Sequence, residues 1–220
     1  LNELLYKEEM LWLHRSRVNW LKEGDCNTNS FHWKAMWRAK KNKIVKLQKD
    51  DGSWASSQAE LEGMATHFFQ NLFSRDPNLN PSDIVNLFEK KVSEDMNEAL
   101  CKEFSDKEIS DALFEIGPLK APSTDGFPAR FYQRNWGTIK TEVIVAVKLF
   151  FATGNMPANI NHTAIVLIPK VDQPSNLREF RPISLCTVLY KVIAKCLANR
   201  LRPILGDIIS VNQSAFVPEG

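Results

Sequence analysis

The sequence predicts a helix-rich α+β chain, and three patterns carry that reading. Several stretches place apolar residues at helical spacing behind Ser-x-x-Glu caps. Two short runs rich in β-branched residues, at 164–168 and 180–185, flank a Pro-containing turn. The composition, 44% apolar and 25% charged with 9 Gly and 11 Pro in 220 residues, is that of a folded chain rather than a disordered, collagenous or disulfide-scaffold one.

Residues 1–21 read as an amphipathic helix, with Leu4, Leu5, Met10, Leu11 and Leu13 near helical spacing and Gly24-Asp25 as its end. A second helix starts near 27–29, carries Phe31, Trp33 and Trp37, and runs into a basic stretch at 38–43. Ile44, Val45 and Leu47, then Asp50-Asp51-Gly52 and Trp54, form the pattern of a hairpin whose turn uses Gly52 for positive φ. Ser57-Gln58-Ala59-Glu60 has the capping-box form ahead of Leu61, Met64, Ala65, Phe68, Phe69, Leu72 and Phe73. Ser105-Asp106-Lys107-Glu108 repeats that device ahead of Ile109, Ala112, Leu113 and Ile116, and Gly117-Pro118 stops the helix.

From Leu119 the pattern changes. Residues 120–126 are turn-rich, 127–136 are aromatic and basic, and an apolar helix is expected from 141 to 153, ending at Gly154. The runs at 164–168 and 180–185 read as strands joined by a turn at 172–176, which brings Lys170 and Arg181 near opposite arms of a hairpin. A long helix is then expected over 187–205, closed by Gly206.

Charge is unevenly distributed. The net charge is +2, yet residues 1–49 hold 11 basic and 5 acidic side chains, residues 50–118 hold 5 and 15, and residues 119–220 hold 12 and 6. Phosphate binding depends on local cation clusters, so the near-neutral total leaves a polyanion partner open. Lys191, Lys195 and Arg202 fall within a narrow stripe of one helix, opposite Leu189, Val192, Ile193, Cys196 and Leu197. That stripe suits a phosphate backbone or an ordinary solvated face. Trp33 and Trp37 lie one turn apart beside Lys34, Arg38 and Lys41. Such interleaving serves single-stranded nucleic acid, and two tryptophans at this spacing also serve a core. Lys170 offers a point charge and Arg181 a fork for phosphate oxygens.

Other chemistries lack a signature. The sequence contains no phosphate-binding glycine loop and no nucleophile elbow. His14, His32, His67 and His162 have no ligand-spaced partners, and the four cysteines are far apart, which favours a reducing intracellular setting. No apolar run has the ~18 to 20 residues of a membrane span, and the first residues lack signal-peptide form, so the expected location is the cytoplasm or nucleus.

Taken together, AIVLIPK at 164–170, FRPISL at 180–185, Tyr190-Lys191, ANRL at 198–201 and NQSAFVP at 212–218 resemble the reverse transcriptase of non-LTR (LINE-type) retrotransposons, plant elements in particular. Lys120-Ala121-Pro122 and Asp125-Gly126-Phe127 are similar to the K-x-P-G-P-D-G loop of that family, with Ser123 and Thr124 in place of its Gly and Pro. SRVNWLKEGDCNTNSF at 16–31 is similar to the linker preceding the polymerase domain. The resemblance implies a right-hand polymerase that copies an RNA template from a DNA primer with Mg²⁺, in a ribonucleoprotein of nucleus and cytoplasm. It divides the chain into a helical linker region, 1–118, and the N-terminal fingers part of a reverse transcriptase domain, 119–220, with the first edge of the palm.

By the same resemblance Lys170 and Arg181 bind the incoming nucleotide, while Lys120, Asp125, Gly126, Lys191, Lys195 and Arg202 stand toward RNA. No catalytic residue and no metal ligand is assigned. The family's aspartates lie in a strand and a Tyr-x-Asp-Asp hairpin that this sequence does not contain, so the expectation is a fragment truncated before the catalytic palm. The rest of the palm, the thumb and an upstream endonuclease domain would belong to the full element. A non-catalytic RNA-binding module and a non-functional relic are the rival readings.

Overall fold

The computed structural model describes residues 28–74 and 89–209. The expected helix at 1–21, the 16–27 part of the linker-like motif and the 212–218 motif lie outside them. Among the described residues the chain is helix-rich α+β, with two two-stranded sheets. The described residues divide into two compact units, the first built from 28–74 and 166–183, the second from 89–165 and 184–209. The strands of the second sheet carry the chain from one unit to the other.

In the first unit, α1 (Thr28–Asn42) precedes an antiparallel pair, β1 (Leu47–Gln48) and β2 (Trp54–Ala55), in the register Leu47 to Ala55 and Gln48 to Trp54. Their turn requires the positive φ of Gly52, +85°, and Asp51 Oδ1 accepts from the Ser53 amide at 2.8 Å. α2 (Gln58–Phe73) begins at Ser57, whose hydroxyl accepts the Glu60 amide. Glu60 does not reach back to the Ser57 amide. Its carboxylate takes the Ser57 hydroxyl at 2.8 Å and Lys49 Nζ at 2.6 Å, and Lys49 holds it down to a pKa of about 2. Leu47, Ala55, Leu61, Leu177 and Phe180 make the core, with Ile44, Met64, Ala65, Phe68 and Leu167 against it.

The second unit starts with α3 (Glu94–Cys101), capped by Ser93, a helix the sequence reading does not anticipate. α4 (Asp106–Glu115) carries the full capping box of Ser105 and Glu108 and ends at Ile116, just before Gly117-Pro118. α5 (Ala129–Arg134) leads into α6 (Trp136–Thr153), which starts five residues ahead of the expected 141 and stops at Gly154 with φ +70°. A short α7 (Ala158–Asn161) precedes β3 (Ala164–Pro169). β3 pairs with β4 (Phe180–Leu185). Their connection is too short for a parallel crossover, so the pair is a hairpin ribbon.

After β4 comes α8 (Val188–Leu201), with Thr187 as N-cap. The expected single helix to 205 is broken. Pro203 lacks an amide to continue the ladder, so Arg202–Ile204 tightens into a 3₁₀ turn and α9 (Leu205–Ile208) follows, with Gly206 inside it rather than ending it. α8 packs on α4, α6 and α7. Phe104, Ile109, Leu113, Ile116, Ala129, Val143, Ile144, Val147, Val188, Val192, Ile193 and Cys196 are buried together there. This core joins residues on both sides of 118, because the apolar faces of α4 and α8 cover one another. The compact units therefore divide the chain differently from the expected 1–118 and 119–220.

Candidate nucleic-acid interface

The ribbon presents Arg181 by simple alternation. Phe180 points into the core of the first unit and is 3% exposed; the next residue of a pleated strand faces the other way, and Arg181 is exposed. Its side chain makes no hydrogen bond or ion pair with a described residue. A guanidinium in that state has its whole donor fork available for phosphate oxygens.

Lys170 leaves the end of β3 under tighter control. Its amide donates to the Glu179 carbonyl at 2.7 Å, and its ammonium donates to the Arg178 carbonyl at 2.7 Å. One of three donors is thus committed to the connection, and two remain on an exposed side chain. The connection itself is pinned. The Gln48 amide donates to the Ser175 carbonyl at 2.7 Å, while Glu179 accepts the Ser175 and Asn176 amides, which lowers its pKa. Asn176 and Glu179 form a capping box around the 3₁₀ turn Leu177–Glu179.

The turn-rich loop is a stapled ledge within the second unit. Ser123, 7% exposed, donates its hydroxyl to the Leu185 carbonyl at 2.7 Å. Thr124 Oγ1 meets His162 Nδ1 at 3.3 Å. The Gly126 amide donates to the Ser123 carbonyl, and Asp125 Oδ1 accepts the Phe127 amide at 3.1 Å. Gly126 holds φ +75°, which a side chain would oppose. Asp125 is thereby an exposed turn-former, and the stem of Lys120, also exposed, packs over Gly117. Nearby, burial and the Asp125 carboxylate raise the Tyr132 phenol pKa.

The basic side chains of α8 are each differently occupied. Lys191 Nζ donates to the Ala121 carbonyl at 2.9 Å and tethers the ledge. Lys195 pairs with Glu115 at 2.8 Å, and that pair, with Asn199, lowers the Glu115 pKa. Arg202 has left the α-helical period for the 3₁₀ turn and is exposed. The stripe therefore reaches solvent mainly through Arg202, with Lys195 in a half-exposed pair of modest strength.

Arg200 is the residue whose role the sequence reading misses. Its Nε donates to Glu108 Oε1 at 2.9 Å, its Nη1 to the Leu100 and Lys102 carbonyls, and its Nη2 to the Glu103 carbonyl at 2.8 Å. The guanidinium also lies 3.5 Å from the Phe104 ring centroid, and Phe104 stacks on Phe151 at 4.1 Å. Arg200 depresses the Glu108 pKa to about 2, aided by the Ser105 bonds. A cation in the last turn of α8 facing an acidic cap was the available signal.

Among the described residues no group of three or more His, Cys, Asp or Glu side chains is arranged to hold a metal ion, and no helix is long and apolar enough to cross a membrane.

No protein-family model matches the chain. The chain is 29% identical over 206 residues, 93% of its length, to the Transposon TX1 uncharacterized 149 kDa protein of Xenopus laevis. It spans 16% of that protein. This similarity supports a transposable-element origin for the chain.

Proposed function

We propose that the chain is the linker and fingers part of an RNA-directed DNA polymerase of a non-LTR retrotransposon, in which Lys170 and Arg181 grip the triphosphate of the incoming nucleotide. The ledge at Lys120, Asp125 and Gly126, with Lys191, Lys195 and Arg202, stands toward the RNA template. Three lines support the reading: the motif resemblance, the similarity to a transposon protein, and the chemistry of the ribbon. The observation that carries it is Arg181, an exposed arginine unpaired among the described residues on a strand anchored by Phe180.

Polymerisation by two metals requires carboxylates converging on Mg²⁺. In this reading no catalytic step is assigned to these residues, and the metal-holding carboxylates belong to another part of a longer polypeptide. Lys191 and Ser123 then act as positioning residues that hold the ledge, while Arg202 and the two remaining donors of Lys170 meet phosphates.

The test uses the purified 220-residue chain. It is expected to bind Mg²⁺-deoxynucleoside triphosphate weakly and to give no primer extension on an RNA template. Arg181→Ala is expected to weaken triphosphate binding about tenfold or more, as loss of a charge-assisted fork implies, with unchanged thermal unfolding. Unaltered binding in that variant refutes the triphosphate site; extension by the isolated chain refutes the placement of the carboxylates.

A further inference from the structure

The first unit carries a stripe that neither its core nor the nucleotide site uses. Trp33, Met36 and Trp37 recur at offsets of three and four along α1, which sets them on one side of the helix, and they are 62%, 59% and 50% exposed. Two indoles left in water on consecutive turns mark a binding surface rather than a core face.

The surrounding charge identifies the occupant. Thr28–Asn42 contains Lys34, Arg38, Lys40 and Lys41 and no acidic residue, and Lys43 and Lys46 follow. Lys41 Nζ stands 5.2 Å from the Trp37 ring centroid while sharing the exposed Asp172 carboxylate at 2.8 Å. Lys40 and Lys43 are exposed beyond it. A partner helix would need no cationic border. A membrane surface would need a longer apolar face than three side chains over little more than one turn. Rings with cations interleaved meet the needs of a single strand, whose bases stack while its phosphates are neutralised. The rings are separated by about 6 Å along the helix axis, a spacing unlike the ~3.4 Å rise of a duplex strand.

We infer that the Trp33, Met36 and Trp37 face of α1 is a second nucleic-acid site, which stacks consecutive bases of a single strand on the two indoles and takes its phosphates on Lys40 and Lys43. It rests on side chains other than those of the triphosphate site and survives or fails apart from it.

The test measures fluorescence anisotropy of labelled oligouridylate and oligothymidylate with the full chain. Trp33→Ala combined with Trp37→Ala should weaken binding of the strand by about tenfold or more, consistent with ~1 to 3 kcal/mol per stacked base. Trp33→Phe with Trp37→Phe should lose less than about threefold, because a smaller ring still stacks. Lys40→Ala with Lys43→Ala should flatten the salt slope by roughly 1.4. The tryptophan-to-alanine pair should leave triphosphate binding within about twofold, which keeps the two sites distinguishable.

Unchanged affinity in the alanine pair overturns the inference, as does binding of duplex DNA as tight as that of the single strand. So does partition onto phosphatidylcholine–phosphatidylserine vesicles that the alanine pair abolishes, or a dimer that it dissociates. If circular dichroism shows the alanine pair misfolded, the phenylalanine and lysine pairs decide: a flattened slope with retained stacking supports the site, and an unaltered slope refutes it.

Discussion

Two arginines divide the molecule into what holds it together and what it offers to others. Arg200, at the end of α8 in the second unit, spends its donors on three backbone carbonyls and the Glu108 carboxylate and is only 12% exposed. Arg181, on the ribbon strand of the first unit, is exposed and unpaired among the described residues. Both lie in words that resemble the same polymerase family, ANRL and FRPISL. The difference shows that arginines in two such words can have opposite surroundings, one held by carbonyls and a carboxylate and the other open to solvent.

The largest expected effect tests that contrast directly. Arg200→Ala strips a largely buried cation from three carbonyls and from the partly exposed Glu108 carboxylate, at a cost of about 1.5 to 3 kcal/mol in urea unfolding. Arg200→Lys should recover little, since an ammonium cannot reproduce a fork that reaches both Glu108 oxygens and the Glu103 carbonyl. Arg181→Ala should change stability by less than about 0.5 kcal/mol. Similar losses in the two alanine variants would erase the distinction.

Next in size is Ser123→Ala. The hydroxyl is buried and donates to the Leu185 carbonyl, so its removal leaves that acceptor unmatched and should cost about 1 to 2 kcal/mol. Amide exchange at Gly126 and Phe127 should quicken more than at α4. Loss of stability without quicker exchange in the loop would mean that Ser123 does not hold the ledge.

Much of the fold was legible because its signals were local. The cap at Ser105 and Glu108, the stop at Gly154, the Gly52 turn and the strand runs all depend on residues within a few positions of each other. What sequence reading did not reach was the set of contacts between distant segments. Lys191 and Ala121 lie 70 positions apart, and Arg200 and Glu108 lie 92 apart. Cation stripes on a helical wheel look alike whether their neighbours are solvent or carbonyls, so the stripe at Lys191, Lys195 and Arg202 was legible as a pattern and its local partners were not. Ser123 anchors its loop through a hydroxyl whose acceptor, the Leu185 carbonyl, lies 62 positions away.

The Arg200 clamp makes a pH prediction of smaller size. Glu108 is depressed from 4.5 to about 2 by the Arg200 bond, with the Ser105 bonds assisting. A carboxylate depressed in the folded state stabilises it fully above its unfolded value and loses that contribution as pH falls through the folded one. Stability should therefore decline between about pH 4.5 and 2, by of order 1 kcal/mol once solvent screening of this partly exposed group is allowed for. Glu108→Gln should start lower and show a shallower decline. An equally steep decline in that variant would assign the acid sensitivity to other carboxylates.

The smallest effect on stability falls on Lys195, and its readout is salt rather than heat. Its ion pair with Glu115 is partly exposed on both sides, so Lys195→Ala should cost less than about 1 kcal/mol. If α8 also stands toward template phosphates, the same substitution must remove a released counterion, lowering the salt slope for single-stranded RNA by about 0.7. Glu115→Gln frees the ammonium from its competitor and should raise RNA affinity. Arg202→Ala should reduce the slope by a similar amount, since Arg202 has no described acid to leave. A slope unaffected by Lys195→Ala and Arg202→Ala, with affinity unaffected by Glu115→Gln, would place α8 with Arg200 on the side of packing and leave the ribbon and α1 to meet the polyanion.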